Sequence, residues 1–226
     1  MRILFFLTAI LFAMSSIAQD LYMPRDVKQA FKNETRSKDG KPGKNYWQNH
    51  ARYTISLTAM PPDRNIKGTE TITYFNNSPD TLRNPNIKLF LNIHKPGSPR
   101  DGDVSEDYLT KGVSIDECKI NGQKIQVRTD PFVFENLGIR LPKPLLPHDS
   151  MQLSFDWHYQ ISLQSGREGM IDSTTYFLAY FYPRVAVFDD YNGWDRMAFV
   201  DSHEFYSDFN DYDVTITVPK NYIVWG

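Results

Sequence analysis

The side chains able to do chemistry cluster late in the chain, where Asp189, Asp190, Asp195, Asp201, Glu204, Asp208, Asp211 and Asp213 crowd into twenty-five positions. Carboxylates in such numbers are what calcium takes as oxygen ligands, several to a loop. Their spacing fits no helix–loop–helix calcium loop, whose sharp turn also requires a glycine that is missing here. Two carboxylates flanking a bond could serve as a glycosidase pair, but nothing in the spacing selects two of the eight. Five histidines are present: His50, His94, His148, His158 and His203. Only His203-Glu204 opens like a zinc helix, which needs a second histidine four positions on so that both rings face one metal. That position is Ser207. The single cysteine, Cys118, lies in a strand-like pattern with no histidine close in sequence, so it reads as a small buried hydrophobe and not an activated thiol. There is no G-x-S-x-G elbow and no glycine-rich phosphate loop. No catalytic, metal-binding or cofactor-binding residue is therefore assigned.

The stretch Tyr176-Phe177-Leu178-Ala179-Tyr180-Phe181-Tyr182-Pro183-Arg184-Val185-Ala186-Val187-Phe188-Asp189-Asp190-Tyr191-Asn192-Gly193-Trp194 is the most unusual part of the sequence. Rings this dense supply core area, and a rigid aromatic segment ending in acids also suits one wall of a cleft.

The formal net charge of −2 lacks the basic excess that nucleic-acid binding demands. Charge is unevenly placed: residues 183–226 carry three basic and eight acidic side chains, and residues 24–52 carry eight basic and three acidic. Residues 1–18 form a secretory signal: Arg2, the apolar run Ile3 to Phe12 broken only by Thr8, then Ser16-Ile17-Ala18 before Gln19. The run is short of the ~20 residues that span a bilayer, and no second one follows. The expectation is an exported chain, periplasmic or extracellular, that does not cross the membrane after cleavage. With one cysteine it has no internal disulfide.

The elements that must position these side chains are read from periodicity. Pro24 to Phe31 predicts a short helix with Val27, Ala30 and Phe31 on one face, broken by the polar run Lys38 to Lys44, so residues 19–50 read as an extension. From Ala51 the period becomes two. Tyr53, Ile55, Leu57 and Ala59 face one way, and Thr69 to Asn76 supplies the partner. Ile87 to Leu91 is apolar on both faces and predicts a central strand. Asn121-Gly122 between Cys118–Ile120 and Lys124–Val127 predicts a hairpin, since both turn residues tolerate positive φ. Phe132–Phe134 and Gly138–Leu141 suggest another pair. Met151, Leu153, Phe155, Trp157, Tyr159 and Ile161 alternate with polar residues throughout. Tyr212, Val214, Ile216 and Val218 alternate again, and Tyr222 to Trp225 starts a further strand that leaves a return partner unaccounted for. The expected fold is all-β, a saddle-like sandwich of about nine or ten strands with a short N-terminal helix.

The run Tyr182-Pro183-Arg184-x-Ala-Val-Phe-Asp189-Asp190-x-x-Gly-Trp, then Glu204-Phe205-Tyr206, then Asp211 to Pro219, resembles the N-terminal domain of aminopeptidase N-type zinc metallopeptidases, in a divergent bacterial branch. Tyr53 to Leu57 followed by Lys67 to Asn77 is similar to that family's opening strand pair, and the resemblance covers residues 51–226. It implies a β-domain packed in cis on a catalytic domain that binds zinc through H-E-x-x-H and a later glutamate, holds the peptide amine with G-x-M-E-N, and attacks the first peptide bond with zinc-activated water. None of those motifs occurs here, and Gly169-Met170 is not followed by Glu-Asn. Most members read Phe-Pro-Cys-x-Asp-Glu-Pro where this chain has Tyr182-Pro183-Arg184, and the acids come later as Asp189-Asp190. Tyr182, Pro183, Asp189 and Asp190 are matched as a structural corner near the domain interface, and no substrate contact is carried over. The expected function is an exported, cleft-shaping N-terminal domain, inactive in peptide hydrolysis alone. Its zinc and its peptide substrates would belong to a catalytic domain missing from these residues. The rival from another class is a stand-alone exported β-sandwich that binds carbohydrate or protein. A third is a relative of the peptidases that lost activity and serves as an adaptor.

Overall fold

The computed structural model describes residues 22–127, 134–164, 166–200 and 202–226. The signal read at residues 1–18, and Phe132-Val133, lie outside the described residues. The chain divides into two compact units, ending and beginning at Asn45 and Tyr46.

In the first unit, α1 spans Arg25–Lys32, with Asp26 in its first turn and Lys32 in its last, the signs that suit the helix dipole. Ala30 is its buried residue, flanked by half-buried Val27 and Phe31 as the pattern predicts. Thr35 donates to the Ala30 carbonyl at 3.1 Å, and Asn45 donates to the Asn33 carbonyl at 3.0 Å, so the chain folds back on the helix end.

The second unit is all-β. Its main sheet has six strands in the order β13-β1-β2-β7-β4-β5. These are β1 (His50–Ala59), β2 (Asn65–Phe75), β4 (Ser114–Ile120), β5 (Gln123–Lys124), β7 (Ser150–Gln160) and β13 (Asp211–Thr217). Alternation dictates this sheet. Tyr53, Ile55 and Leu57 of β1, Ile66, Ile72 and Tyr74 of β2, and Leu153, Phe155, Trp157 and Tyr159 of β7 all point into one core. Neighbours run antiparallel, except that β13 lies parallel to β1. A second sheet of order β10-β3-β6, made of β3 (Asn86–Lys88), β6 (Asn136–Gly138) and β10 (Arg184–Val185), supplies Ile87, Leu137 and Val185 to the same core. Two ribbons complete the unit: β8 (Gly169–Asp172) with β9 (Thr175–Phe177), and β11 (Phe188–Asp189) with β12 (Gly193–Trp194). Among the described residues the result is the expected all-β sandwich with one short α-helix.

Asn121 and Gly122 turn the β4–β5 hairpin with φ of 49° and 80°, the left-handed values that Asn-Gly supplies. Cys118 is buried, and burial pushes its thiol pKa up to about 12.

Several expected elements are shorter than their apolar runs. The described residues hold thirteen strands against nine or ten expected, because residues 169–194 form two- to four-residue pieces instead of long strands. β3 stops at Lys88, and Phe90–His94 is a 3-10 helix. Asn92 sets that turn: its Oδ1 accepts from the Val113 amide at 2.7 Å, and its amide donates to the Phe134 carbonyl. β3 is central in its own three-stranded sheet, as its two-sided apolar character implies. β5 ends at Lys124, so Ile125–Val127 is irregular, and β6 reaches only Gly138. Tyr222–Trp225 forms no strand. The Tyr222 amide closes a turn on the Pro219 carbonyl at 2.9 Å, and Ile223 and Trp225 are left exposed. Among the described residues no helix is long and apolar enough to cross a membrane.

Candidate functional site

The aromatic segment folds into a corner whose foundation is a buried ion network. Lys88 on β3 reaches Glu135 at 2.9 Å and Asp195 at 3.3 Å, with all three side chains buried. Lys88 also donates to the Met197 carbonyl, and Glu135 accepts from the Phe199 amide. Asn86 adds bonds to Asn136 Oδ1 at 2.7 Å and to the Asp195 carbonyl at 2.8 Å. Burial pushes the Glu135 carboxyl upward, against the opposing pull of Lys88. Two acids around one lysine need every remaining lone pair satisfied to be tolerable in a core, and the backbone of residues 195–199 does this. The network thus pins that segment to β3 and β6. A cavity of about 200 Å³ lies beside it, lined among others by Ile93, Phe134, Glu135 and Phe199.

Above this base sits Arg184. Its guanidinium lies 5.0 Å from the Phe90 ring, 5.0 Å from Phe205 and 5.3 Å from Tyr182, and it donates to Ser207 Oγ. Phe90 and Phe205 are themselves 4.1 Å apart, with Tyr180 and Phe199 closing the cluster. A guanidinium between ring faces is held by both the quadrupoles and the exclusion of water. Arg184, a departure from the family pattern in the sequence, is here the centre of the packing.

Tyr182 is half-buried. It meets Tyr53 edge-on at 5.6 Å, and its hydroxyl donates to that of Tyr212 at 3.0 Å. Burial raises its pKa. Pro183 is buried. Asp189, on β11, accepts from the Asp190 amide at 2.7 Å and faces the Tyr206 hydroxyl at 3.4 Å. Asp190, half-buried, begins the turn into β12. One segment, residues 205–208, touches both halves of the corner: Phe205 and Ser207 hold Arg184, while Tyr206 reaches Asp189. Asp208 follows. Its pKa is raised to about 7, chiefly by burial and also by the Asp189 charge, with a Gln48 hydrogen bond opposing. The arrangement makes a rigid wall of rings and half-buried carboxyls.

Sequence reading named Tyr182, Pro183, Asp189 and Asp190 and did not single out Lys88, Glu135 or Phe90. A lysine inside the apolar run Ile87–Leu91 was the available signal: a long cation with apolar neighbours on both sides requires a buried partner.

Among the described residues no group of three or more His, Cys, Asp or Glu side chains could hold a metal ion. His203 lies 3.1 Å from Ser202 Oγ, and Glu204 is committed to Arg167.

No family model matches the chain, and no curated protein matches it. Among solved structures it is similar to the M1 zinc metallopeptidase from Deinococcus radiodurans, with 17% identity over 79% of this chain and 34% of that one, at a TM-score of 0.47. A two-domain M1 zinc metallopeptidase bound to L-arginine gives 18% identity over 80% of this chain and 35% of its own, at 0.47. Native leukotriene A4 hydrolase from Saccharomyces cerevisiae gives 14% identity over 61% and 19%, at 0.31. This chain spans about a third of the length of the first two. The first two of these neighbours are named as zinc metallopeptidases.

Proposed function

We propose that these residues form the N-terminal, cleft-shaping domain of an exported zinc aminopeptidase-like protein, and that they do not hydrolyse peptides alone. The observation that carries the reading is the corner at Tyr182–Asp190. The run Tyr-Pro-Arg through Asp-Asp, matched to the family as an interface corner, folds into a stiff aromatic and acidic surface braced by Lys88, Glu135 and Asp195. Such a surface bounds a site well, because its side chains are fixed before anything binds. Zinc, and the chemistry it supplies, would belong to a catalytic domain in cis, and peptide substrates would be met through that domain.

The test is to sequence the gene past the codon for Gly226 and to assay the protein. An open frame encoding G-x-M-E-N and H-E-x-x-H supports the reading, together with aminoacyl-anilide hydrolysis by the full product and none by residues 19–226 with added zinc. A stop codon directly after Gly226, with an expressed product of that mass, overturns it. Hydrolysis by residues 19–226 alone overturns the claim of inactivity.

A further inference from the structure

His94 ties two separate segments together, and it does so through protons. Its ring is buried at the end of the 3-10 turn Phe90–His94. Nδ1 lies 2.9 Å from the Tyr108 carbonyl oxygen. A carbonyl has no proton to give, so Nδ1 carries one. Nε2 lies 2.6 Å from Oε2 of Glu168, the buried residue that precedes β8. A second proton must lie in that gap, because without it a bare carboxylate would face the ring's lone pair inside the core. Apart from His94, neither Glu168 oxygen has a hydrogen-bond partner among the described residues, and the buried Tyr159 hydroxyl on β7 has none either. The other ionisable neighbours are directed elsewhere. Tyr108, in the 3-10 turn Glu106–Tyr108, stacks its ring 4.2 Å from that of His94. Arg100 lies 5.8 Å over the Tyr108 ring and donates to the carbonyls of Ile93 and Lys95. Lys95 Nζ lies 5.8 Å over Phe134. Arg167, beside Glu168 in sequence, donates to the Tyr180 hydroxyl at 2.9 Å and pairs with Glu204.

We propose that the His94–Glu168 contact is a pH-operated clasp: its bridging proton holds residues 93–110 against residues 162–168, and loss of that proton to alkaline solvent frees the segment. Once the proton is gone, the carboxylate and the imidazole lone pair repel, and the buried negative charge has no cation of its own. The bonds that remain are neutral and few: the Leu163 amide to the Asp107 carbonyl at 3.0 Å, and Ser162 Oγ to the carbonyls of Asp107 at 3.3 Å and Tyr108 at 3.2 Å. A charge-assisted bond is about twice as strong as a neutral one, so its loss decides whether the two segments stay together. The clasp also bears on the cavity beside the Lys88 network. Ile93, Ser98 and Pro99 line that cavity from the segment that His94 holds, while Glu135 and Phe199 line it from the segments that Lys88 holds. Release of the clasp therefore opens the cavity on one side and leaves the ion network in place. The inference is independent of the peptidase reading, since every group in the clasp is a buried or contacting residue of this chain.

The test is hydrogen exchange read by mass spectrometry on the purified chain, with protection expressed relative to the intrinsic exchange rate at each pH. Between pH 6 and pH 9, peptides from residues 93–110 should lose about tenfold more protection than those of β1 and β2, which report global opening. E168Q separates a titrating clasp from a merely structural contact. A glutamine amide donates a permanent N–H to Nε2 of a neutral ring, so the bridge persists without a proton to lose. In that variant residues 93–110 should keep the same protection, relative to β1 and β2, at both pH values. A wild-type segment whose relative protection is equal at pH 6 and pH 9 overturns the proposal. So does a fall in E168Q as large as in the wild type, which would place the pH response in another group.

Discussion

Lys88 Nζ lies 2.9 Å from Glu135 Oε1 across the β3–β6 pair, with both side chains buried. Because Asp195 completes the network, removal of the lysine leaves two buried carboxyls facing each other. K88M should cost about 3–5 kcal/mol, the range for breaking a buried pair from one side. E135Q should cost less, since Lys88 keeps Asp195. Urea unfolding of both variants measures the difference.

Asp208 gives the fold a pH dependence of unusual sign. Its carboxyl titrates at about 7 in the fold against 3.8 for the ordinary group, so the folded chain holds its proton more tightly than the unfolded chain. The contribution is fully present below pH 3.8 and is lost as pH rises toward about 7. D208N should remove that slope and make the protein more stable than wild type at pH 8. Urea midpoints at pH 5 and pH 8 for both proteins give the answer.

Glu70 occupies the core row of β2, flanked by Ile55 and Phe155 in the ladder, and neither carboxyl oxygen has a hydrogen-bond partner in the fold. Burial drives its pKa far up, so it too disfavours folding as pH rises above 4.5. An unsatisfied buried polar group costs about 1–3 kcal/mol. E70M should raise stability at neutral pH by roughly that amount, read as a shift in the thermal midpoint.

Gly68 is a packing requirement. A Cβ there would stand 2.2 Å from Trp157 Cζ2, on the side chain directly across the β2–β7 ladder. Trp157 is buried and cannot swing aside. G68A should cost ~1–3 kcal/mol and shift tryptophan emission, both measurable in one fluorescence-monitored denaturation.

Amphipathic strands were legible because their alternation has a single cause. On β1, β2 and β7 every second residue enters the core, and the Asn121-Gly122 turn follows from local backbone preference alone. The runs at Ile87–Leu91 and Tyr222–Trp225 misled because apolar content does not encode a neighbour. The first is bent by the side chain of Asn92, and the second lacks a strand beside it among the described residues. The corner was visible as an oddity of composition. Its bracing was not, because Lys88, Glu135 and Asp195 come from distant parts of the chain and only the folded sheets join them.

The parallel pairing of β13 with β1 also sets an order of events. The Ala51–Asn210 bond closes a loop of 159 residues, and strand contacts at such separation form slowly. As the chain emerges from the ribosome, β1 finds β2 at once but must wait for synthesis to reach Asp211–Thr217 before its other side is paired. Throughout that interval β1 is an open template on that side, and β13 is the strand that pairs with it. Synthesis, and any translocation it is coupled to, thus proceeds on a chain whose main sheet is still unsealed.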